Sequence, residues 1–303
     1  MKRLFDAYVI ADWTAGEGRK TGEQSLWVGV MKRDVRFRLA YEAHNPATRA
    51  EGEALIASIL TDLNKRGDRA LVGFDFALGY PQGTAEKLKL GPADWSGMWK
   101  FIADNVVDKR DNTNNRFAVA AKINRLMTDA PEPFWGCPAS QAQRWLKTTK
   151  SSGFAGLPEF RATEVAARKG RRQPKSVWQM HGAGAVGGQS LVGIAAVHRL
   201  MTAMGSSAAV WPFGTGWRGL EPSDVESLSA LFVEVWPSLF DITPEPGEVK
   251  DAAQVRITAE TFARLDEKGE LGALFAPPAG VDAAMVAQVE REEGWILGVR
   301  EGA

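Results

Sequence analysis

The chain of 303 residues is long enough for one large domain or two small ones, with a sizeable core in either case. Its 37 Lys and Arg residues balance 37 Asp and Glu residues, which excludes a global polycation. The single cysteine, Cys137, excludes an internal disulfide and a zinc site built from several cysteines, and it favours a reducing compartment.

The N-terminal residues predict a buried strand and no targeting segment. MKRLFDAYVIADW is too short and too charged for a signal peptide, because Asp6 and Asp12 interrupt its apolar run. No apolar stretch in the sequence is long enough to span a bilayer. We therefore predict a cytoplasmic protein without a membrane partner.

The first quarter of the chain predicts an antiparallel meander followed by a crossover. Strands are expected at residues 7–14, 25–32 and 35–43, and a turn-rich stretch joins the first two. Residues 46–67 predict a helix with an apolar face, and residues 69–78 predict a fourth strand. The intervening helix implies that the fourth strand runs parallel to the first.

Residues 82–175 fit no simple alternation of strands and helices. Helical runs such as MWKFIADNVVDKR alternate with loop stretches such as DAPEPFWGCPAS. We interpret this segment as a mostly helical cap inserted into an α/β core that residues 1–81 and 176–303 form. From Arg144 to Lys175 it holds nine basic and two acidic residues, which is typical of a contact for a phosphate-bearing partner or of a solvated face or mobile loop.

The C-terminal part of the chain returns to strands and helices. A short candidate strand at residues 176–180 precedes an apolar helix at 190–205. Two more strands are predicted at 208–214 and 230–240. Helices are predicted at 253–268 and 281–294, before the closing WILGV.

The stretch HGAGAVGG contains the spacing G-x-G-x-x-G at Gly182, Gly184 and Gly187. This spacing lets backbone N–H groups approach a pyrophosphate when a strand precedes it and a helix follows. The acidic ribose ligand expected about 20 residues later is missing, since AAVWPFGTGW has no acid. We therefore favour a packing role, in which the glycines bring the following helix close to its neighbours.

Four acidic residues interrupt or close apolar runs: Asp12, Asp75, Glu234 and Asp282. If the first and fourth strands are adjacent and parallel, Asp12 and Asp75 lie at the carboxyl edge of the sheet, where open α/β sheets bind ligands. Neighbouring carboxylates repel unless a cation neutralises them, and Mg²⁺ or Mn²⁺ suits oxygen ligands better than zinc. Two such ions would activate a water and stabilise the leaving oxygen in phosphodiester hydrolysis.

Each acid also has a structural interpretation. Asp12 would hydrogen-bond to the backbone of the following turn, Asp282 would cap its helix, and Glu234 would pair with an arginine. Taken as a set, the four acids favour the functional interpretation.

The order of the predicted strands, with Asp on the first and the fourth, resembles the ribonuclease H-like superfamily. Within it, five stretches resemble the family called domain of unknown function 429: IADWTA, GFDFALGYP, FVEVWPSLF, VDAAMVA and the closing EEGWILGV. The resemblance implies a ribonuclease H-like α/β fold, with a mixed sheet of three antiparallel strands and further parallel strands. It also implies helices on both faces, an inserted helical cap and a metal-dependent nuclease-type site.

The resemblance also implies residue roles. Asp12 and Asp75 match the two strand acids of the family, Glu234 matches the Glu before Pro237, and Asp282 matches the acid of the last helix. One departure is that Ala283 and Ala284 follow Asp282, where related nucleases often carry more acids. This departure weakens the expectation of two tightly held metals.

We therefore predict a metal-dependent phosphodiesterase or nuclease. Asp12 and Asp75 would hold Mg²⁺ or Mn²⁺, with Asp282 as a further ligand and Glu234 completing the shell or acting as a base. KDAAQVR and FRATE resemble family positions near the substrate. Phosphates of a nucleic acid or another phosphate-bearing substrate are expected at four basic residues: Lys250, Arg161, Arg171 and Arg172.

Two alternatives stay open. A phosphotransferase of the actin–hexokinase type shares the strand order, and there residues 15–24, AGEGRKTGEQ, would cradle phosphates. That class usually duplicates the domain, and this chain shows one clear set of strands. A non-enzymatic binding module, in which the acids are a relic and the cap recognises a partner, is the other alternative.

Overall fold

The structure is a computed structural model that describes residues 3–34, 36, 38–150, 153–168 and 173–300. Its strands form one six-stranded sheet in the order β3-β2-β1-β4-β6-β5. Their bounds are β1 Ala7–Asp12, β2 Trp27–Arg33, β3 Leu39–His44, β4 Ala70–Phe74, β5 Ala208–Val210 and β6 Ala230–Glu234.

The sheet is mixed, as the sequence predicts. β1, β2 and β3 form an antiparallel meander, whereas β4 pairs in parallel with β1. β6 is parallel to β4, and β5 is parallel to β6. The prediction of an α/β sheet with three antiparallel strands and further parallel strands is confirmed.

Eight α-helices lie within the described residues. Their bounds are α1 Arg49–Lys65, α2 Thr84–Lys87, α3 Trp95–Asn105, α4 Arg116–Thr128, α5 Ala162–Ala167, α6 Gly187–Met204, α7 Lys250–Glu267 and α8 Ala283–Gln288. The segment 82–175 contributes α2, α3, α4 and α5, which are joined by loops and short 3₁₀ turns. None of the described helices has the length and hydrophobicity that crossing a membrane requires.

Helices cover both faces of the sheet because strand side chains alternate between them. Ala7, Val9 and Ala11 of β1 belong to one buried cluster, which they share with residues of α1, α3, α4 and α6. Tyr8 and Ile10 belong to a second cluster, which they share with α7 and with residues 295–299. The helices of the segment 82–175 therefore pack into the same core as one face of the sheet.

Of the three glycines of the G-x-G-x-x-G stretch, Gly187 at the start of α6 has the packing geometry that we favour from the sequence. A Cβ at Gly187 would lie 2.4 Å from the carbonyl oxygen of Val177, whereas Gly182 and Gly184 have positive φ angles and a Cβ there would lie 3.3 Å or more from its nearest neighbour. Residues 176–180, predicted as a strand, form no strand of the sheet. Their β-pairing is a single bridge between Gln179 and Trp135.

Several elements end earlier than the sequence predicts. β5 ends at Val210, before Pro212, and β6 ends at Glu234, before a 3₁₀ turn at Pro237–Leu239. Proline has no N–H to donate to a neighbouring strand, which explains why both strands end before the next proline. The predicted helix 281–294 is α8 followed by a π-helical turn, Val289–Glu293.

Candidate functional site

Two carboxyl groups meet at the carboxyl edge of the sheet. Ala11 of β1 is paired with Phe74 of β4, so that Asp12 and Asp75 follow side by side. The two carboxyl groups are close enough that each shifts the pKa of the other. The backbone N–H of Trp13 donates to Asp75 Oδ1 at 2.7 Å, and the N–H of Asp75 donates to the carbonyl of Ala11 at 3.3 Å.

Burial changes the protonation of this pair. It raises the pKa of Asp12 well above the usual value, and the nearby charges of Asp75 and Asp251 raise it further. Burial also raises the pKa of Asp75, while hydrogen bonds from Trp13 N–H and from Asp12 lower it. Asp12 therefore keeps its proton to a higher pH, because two negative charges so close together repel each other and are costly to remove from water.

The first turn of α7 brings a third carboxylate and a cation to the pair. The charge of Asp251 raises the pKa of both Asp12 and Asp75, and the charge of Lys250 lowers that of Asp12. Asp251 Oδ2 accepts a hydrogen bond of 2.5 Å from the N–H of Gln24, just before β2. Acidic residues are stabilised in the first turn of a helix. Of the predicted substrate-binding residues, Lys250 thus lies close to the acids.

A cavity of about 210 Å³ opens beside Asp75. Its walls come from the ends of β4 and β6, from α5 and α7, and from residues 174–189. The polar and charged side chains of its lining are Asp75, Arg161, Glu164, Lys175, Gln189, Glu234, Ser238 and Gln254. Gln189 also donates from Nε2 to the carbonyl of Trp13 at 2.6 Å, which holds the end of β1 against α6.

Glu234 and Arg161 line this cavity, but they are bound to each other. Arg161 is fully buried, and its Nη1 and Nη2 lie 2.8 and 2.6 Å from the two carboxylate oxygens of Glu234. Its Nε donates to Glu164 Oε1 at 2.9 Å, its Nη2 also contacts that oxygen, and its Nη1 donates to the carbonyl of Glu293 at 2.8 Å. All five N–H groups of the guanidinium are thus engaged within the protein.

The remaining hydrogen bonds of this cluster fix the loop after β4. Glu234 Oε2 accepts from the N–H of Leu78 at 3.0 Å. Burial raises the pKa of Glu164 to about 7, although the charge of Arg161 opposes the shift. We name Arg161, Glu164 and Glu234 the buried ion cluster. It corresponds to the structural interpretation of Glu234, in which this residue pairs with an arginine.

The last predicted metal ligand, Asp282, lies apart from the cavity. It is exposed, and its side chain accepts from the N–H of Met285 at 2.8 Å as the N-cap of α8. The structure thus brings together Asp12 and Asp75 of the four predicted acids, whereas Glu234 and Asp282 engage other partners. Arg171 and Arg172, predicted to bind phosphates, lie outside the described residues.

The donor set at the sheet edge suits one hard divalent cation. Among the described residues, no group of three or more His, Cys, Asp or Glu side chains is arranged to hold a metal ion. Mg²⁺ is commonly held by one or two carboxylates and keeps several of its waters, which the Asp12–Asp75 pair would provide for. Asp12 would have to release its proton first, since ligands bind metals in the deprotonated form.

Comparison of the chain with protein-family models, with curated proteins and with solved structures found no match. The ribonuclease H-like assignment therefore stays a prediction, and the geometry of the site is the evidence for function.

Proposed function

We propose that the protein is a metal-dependent phosphodiesterase, in the nuclease class, with a ribonuclease H-like arrangement of its core. The strand order and the Asp residues that end β1 and follow β4 support the proposed architecture. The observation that carries the proposal is the placement of Asp12 and Asp75 side by side at the carboxyl ends of the adjacent parallel strands β1 and β4. Two partly buried carboxyl groups side by side at the ends of adjacent strands provide a structural reason to bind a cation at this edge of the sheet.

Each neighbouring residue has a role in this proposal. Asp12 and Asp75 would hold Mg²⁺ or Mn²⁺, and Asp251 would add negative charge at the first turn of α7. The metal, when bound, activates a water and stabilises developing negative charge. Lys250 and Lys175 would attract substrate phosphates, because each lies beside the acids or the cavity. The buried ion cluster would support the cavity wall.

The phosphotransferase alternative is less consistent with the turn at residues 15–24. In that alternative, free N–H groups of this turn would face phosphates. Four of them already donate to protein acceptors, those of Gly16, Lys20, Gly22 and Gln24. The binding-module alternative predicts no catalysis and no dependence of stability on metal.

The proposal is tested by cleavage of single-stranded, duplex and branched nucleic acids with Mn²⁺ or Mg²⁺ and with EDTA. We expect cleavage that requires metal, and a loss of at least 100-fold in the variants Asp12→Asn and Asp75→Asn, in the range of removing one electrostatic catalytic group. The control Asp62→Asn changes an exposed carboxylate on α1 and should keep full activity. No cleavage of any of these substrates in the presence of metal would contradict the proposal.

A further inference from the structure

A basic surface with aromatic rings lies on the segment 82–175. Between residues 116 and 150 the sequence has six basic and two acidic residues. We name part of this surface the basic strip. Its members are Arg125, Arg144, Lys147 and Lys150 with the rings of Trp135 and Trp145.

The rings of the basic strip are half-buried and lie against the cations. The guanidinium carbons of Arg125 and Arg144 lie 5.1 and 5.2 Å from the centre of the Trp145 ring. Lys150 Nζ lies 6.0 Å from the centre of the Trp135 ring. A guanidinium or an indole held in this way presents a flat surface on which an unpaired base stacks.

The ion pairs within the strip are weak competitors for phosphate. Arg144 contacts Asp129 at 2.8 Å and Lys150 contacts Glu159 at 2.6 Å. The two basic side chains are 68% and 49% exposed. Solvent-exposed pairs of this kind contribute little to stability, so a phosphate group displaces the carboxylate at low cost.

Hydrogen bonds connect the strip to the wall of the cavity. The N–H of Gly136 donates to the carbonyl of Lys147 at 2.9 Å, and the N–H of Met180 donates to the carbonyl of Trp135 at 2.9 Å. Met180 belongs to residues 174–189, which supply Lys175 and Gln189 to the cavity. The strip is thus hydrogen-bonded to the segment that supplies part of the cavity wall.

The backbone of the strip is also held from beneath. Asn124 on α4 is buried, and its Nδ2 donates to the carbonyls of Phe134 and Trp145 at 2.9 and 2.7 Å. Its Oδ1 accepts from the N–H of Phe134 at 2.9 Å. The rings therefore need little ordering when a ligand binds, which reduces the entropic cost of binding.

We propose that the basic strip binds a single-stranded nucleic acid and directs it into the cavity beside Asp75. Cations follow the backbone of such a ligand and rings stack on its unpaired bases. A duplex offers phosphates but keeps its bases stacked inside. The link to cleavage rests on the proposed nuclease function, whereas binding by the strip is measured without any reaction.

Binding is tested by fluorescence anisotropy with labelled DNA and RNA single strands of about 16 nucleotides and with a matched duplex. The protein is the Asp12→Asn variant in EDTA, so that no cleavage occurs. We expect single strands to bind at least tenfold more tightly than the duplex. A preference for DNA over RNA, or the reverse, identifies which single strand the strip binds.

Variants of the strip provide the critical comparison. The triple variant Arg125→Gln, Arg144→Gln and Lys147→Gln should have a weaker dependence of binding on salt. The negative slope of log K for binding against the logarithm of the salt concentration should shrink in magnitude by about 2, since each phosphate contact of a single strand contributes about 0.7. Trp145→Leu should weaken binding about tenfold, in the range measured for stacked bases. Lys65→Gln with Lys268→Gln is the matched control, because these exposed lysines lie at the ends of α1 and α7.

The outcomes separate the strip from the proposed activity. If the strip variants and the control bind nucleic acid equally, the proposal that the basic strip binds it is overturned, whether or not the wild-type protein cleaves nucleic acid. Equal or tighter binding of the duplex would overturn the preference for single strands. Strip-dependent binding without cleavage would support the strip and contradict the nuclease.

Discussion

At the scale of single residues, Asp12 holds a proton that a solvent-exposed aspartic acid would have lost. Burial and two neighbouring carboxylates raise its pKa. The folded protein therefore binds this proton more tightly than the unfolded chain, in which the pKa is about 4. It follows that stability contributed by Asp12 is present at low pH and is lost as the pH rises from about 4 through the raised pKa.

The direction of this pH dependence leads to a first prediction. In EDTA, the free energy of unfolding should fall with rising pH above about 4, by up to about 1.4 kcal/mol per pH unit. Asp12→Asn should flatten this dependence, because an amide keeps the donor and carries no titrating proton. Urea unfolding at a series of pH values measures it. If the free energy of unfolding of Asp12→Asn changes with pH as steeply as that of the wild type, the titrating proton does not belong to Asp12.

The same proton leads to a second prediction, about metal. Binding of Mn²⁺ should release a proton from the Asp12–Asp75 pair, so that the affinity rises with pH. Calorimetry in buffers of different ionisation enthalpy counts the released protons. Asp12→Asn should bind at least tenfold more weakly, whereas Asp282→Asn should bind normally because Asp282 caps α8. If Asp12→Asn and Asp282→Asn lose Mn²⁺ affinity equally, Asp282 takes part in metal binding after all.

At the scale of elements, Arg161 of the segment before α5 joins the end of β6 to the π-helical turn. A third prediction follows, that Arg161→Met destabilises the protein by about 3–5 kcal/mol, because two buried carboxylates lose their cation. The loss should shrink at low pH, where Glu164, whose pKa burial raises to about 7, gains a proton. Thermal and urea unfolding measure both effects.

A matched control for this prediction is Arg218→Met. Arg218 pairs with Asp224 at 2.7 Å, but its side chain is 56% exposed. An exposed pair should cost less than about 1 kcal/mol to remove. If the two variants are equally stable, the buried ion cluster does not have the structural role inferred from its geometry.

The strands show what local sequence determines. Alternating apolar residues and the helix between the third and fourth strands correctly predicted the meander, the parallel β4 and the meeting of Asp12 with Asp75. The partner of Glu234 was not predictable in the same way, because Arg161 lies 73 residues earlier in the chain. No local pattern specifies a contact of that separation. The resemblance to the family predicts Asp251 near the substrate. Its place in the first turn of α7 brings its charge close to Asp12 and Asp75.

At the scale of the whole molecule, the C-terminal residues connect distant parts of the chain. Glu292 accepts from the N–H groups of Gly83 and Ala85 at 2.7 and 2.6 Å, and thus binds the start of α2. Glu293 accepts from the N–H groups of Gln82 and Ala162 at 2.8 and 2.7 Å. The closing residues therefore hold both the loop after β4 and the start of α5.

A fourth prediction concerns this connection. Glu292→Ala leaves two backbone donors without their acceptor and should destabilise the protein by about 1–3 kcal/mol. Hydrogen exchange should quicken around residues 79–90, far from residue 292 in sequence. Glu270→Ala, which removes an exposed carboxylate, should change neither quantity. Exchange that quickens only next to residue 292 would argue against a long-range connection.

The guanidinium of Arg161 has a consequence for redesign of this scaffold. It belongs to the segment 82–175, yet it pairs with the carboxylate of Glu234, which ends the central strand β6. Anyone who replaces residues 82–175 with a shorter linker would have to supply another cation at that place or exchange Glu234 for an uncharged side chain. The segment 82–175 for this reason contributes to the interior of the scaffold and cannot be exchanged as an independent module.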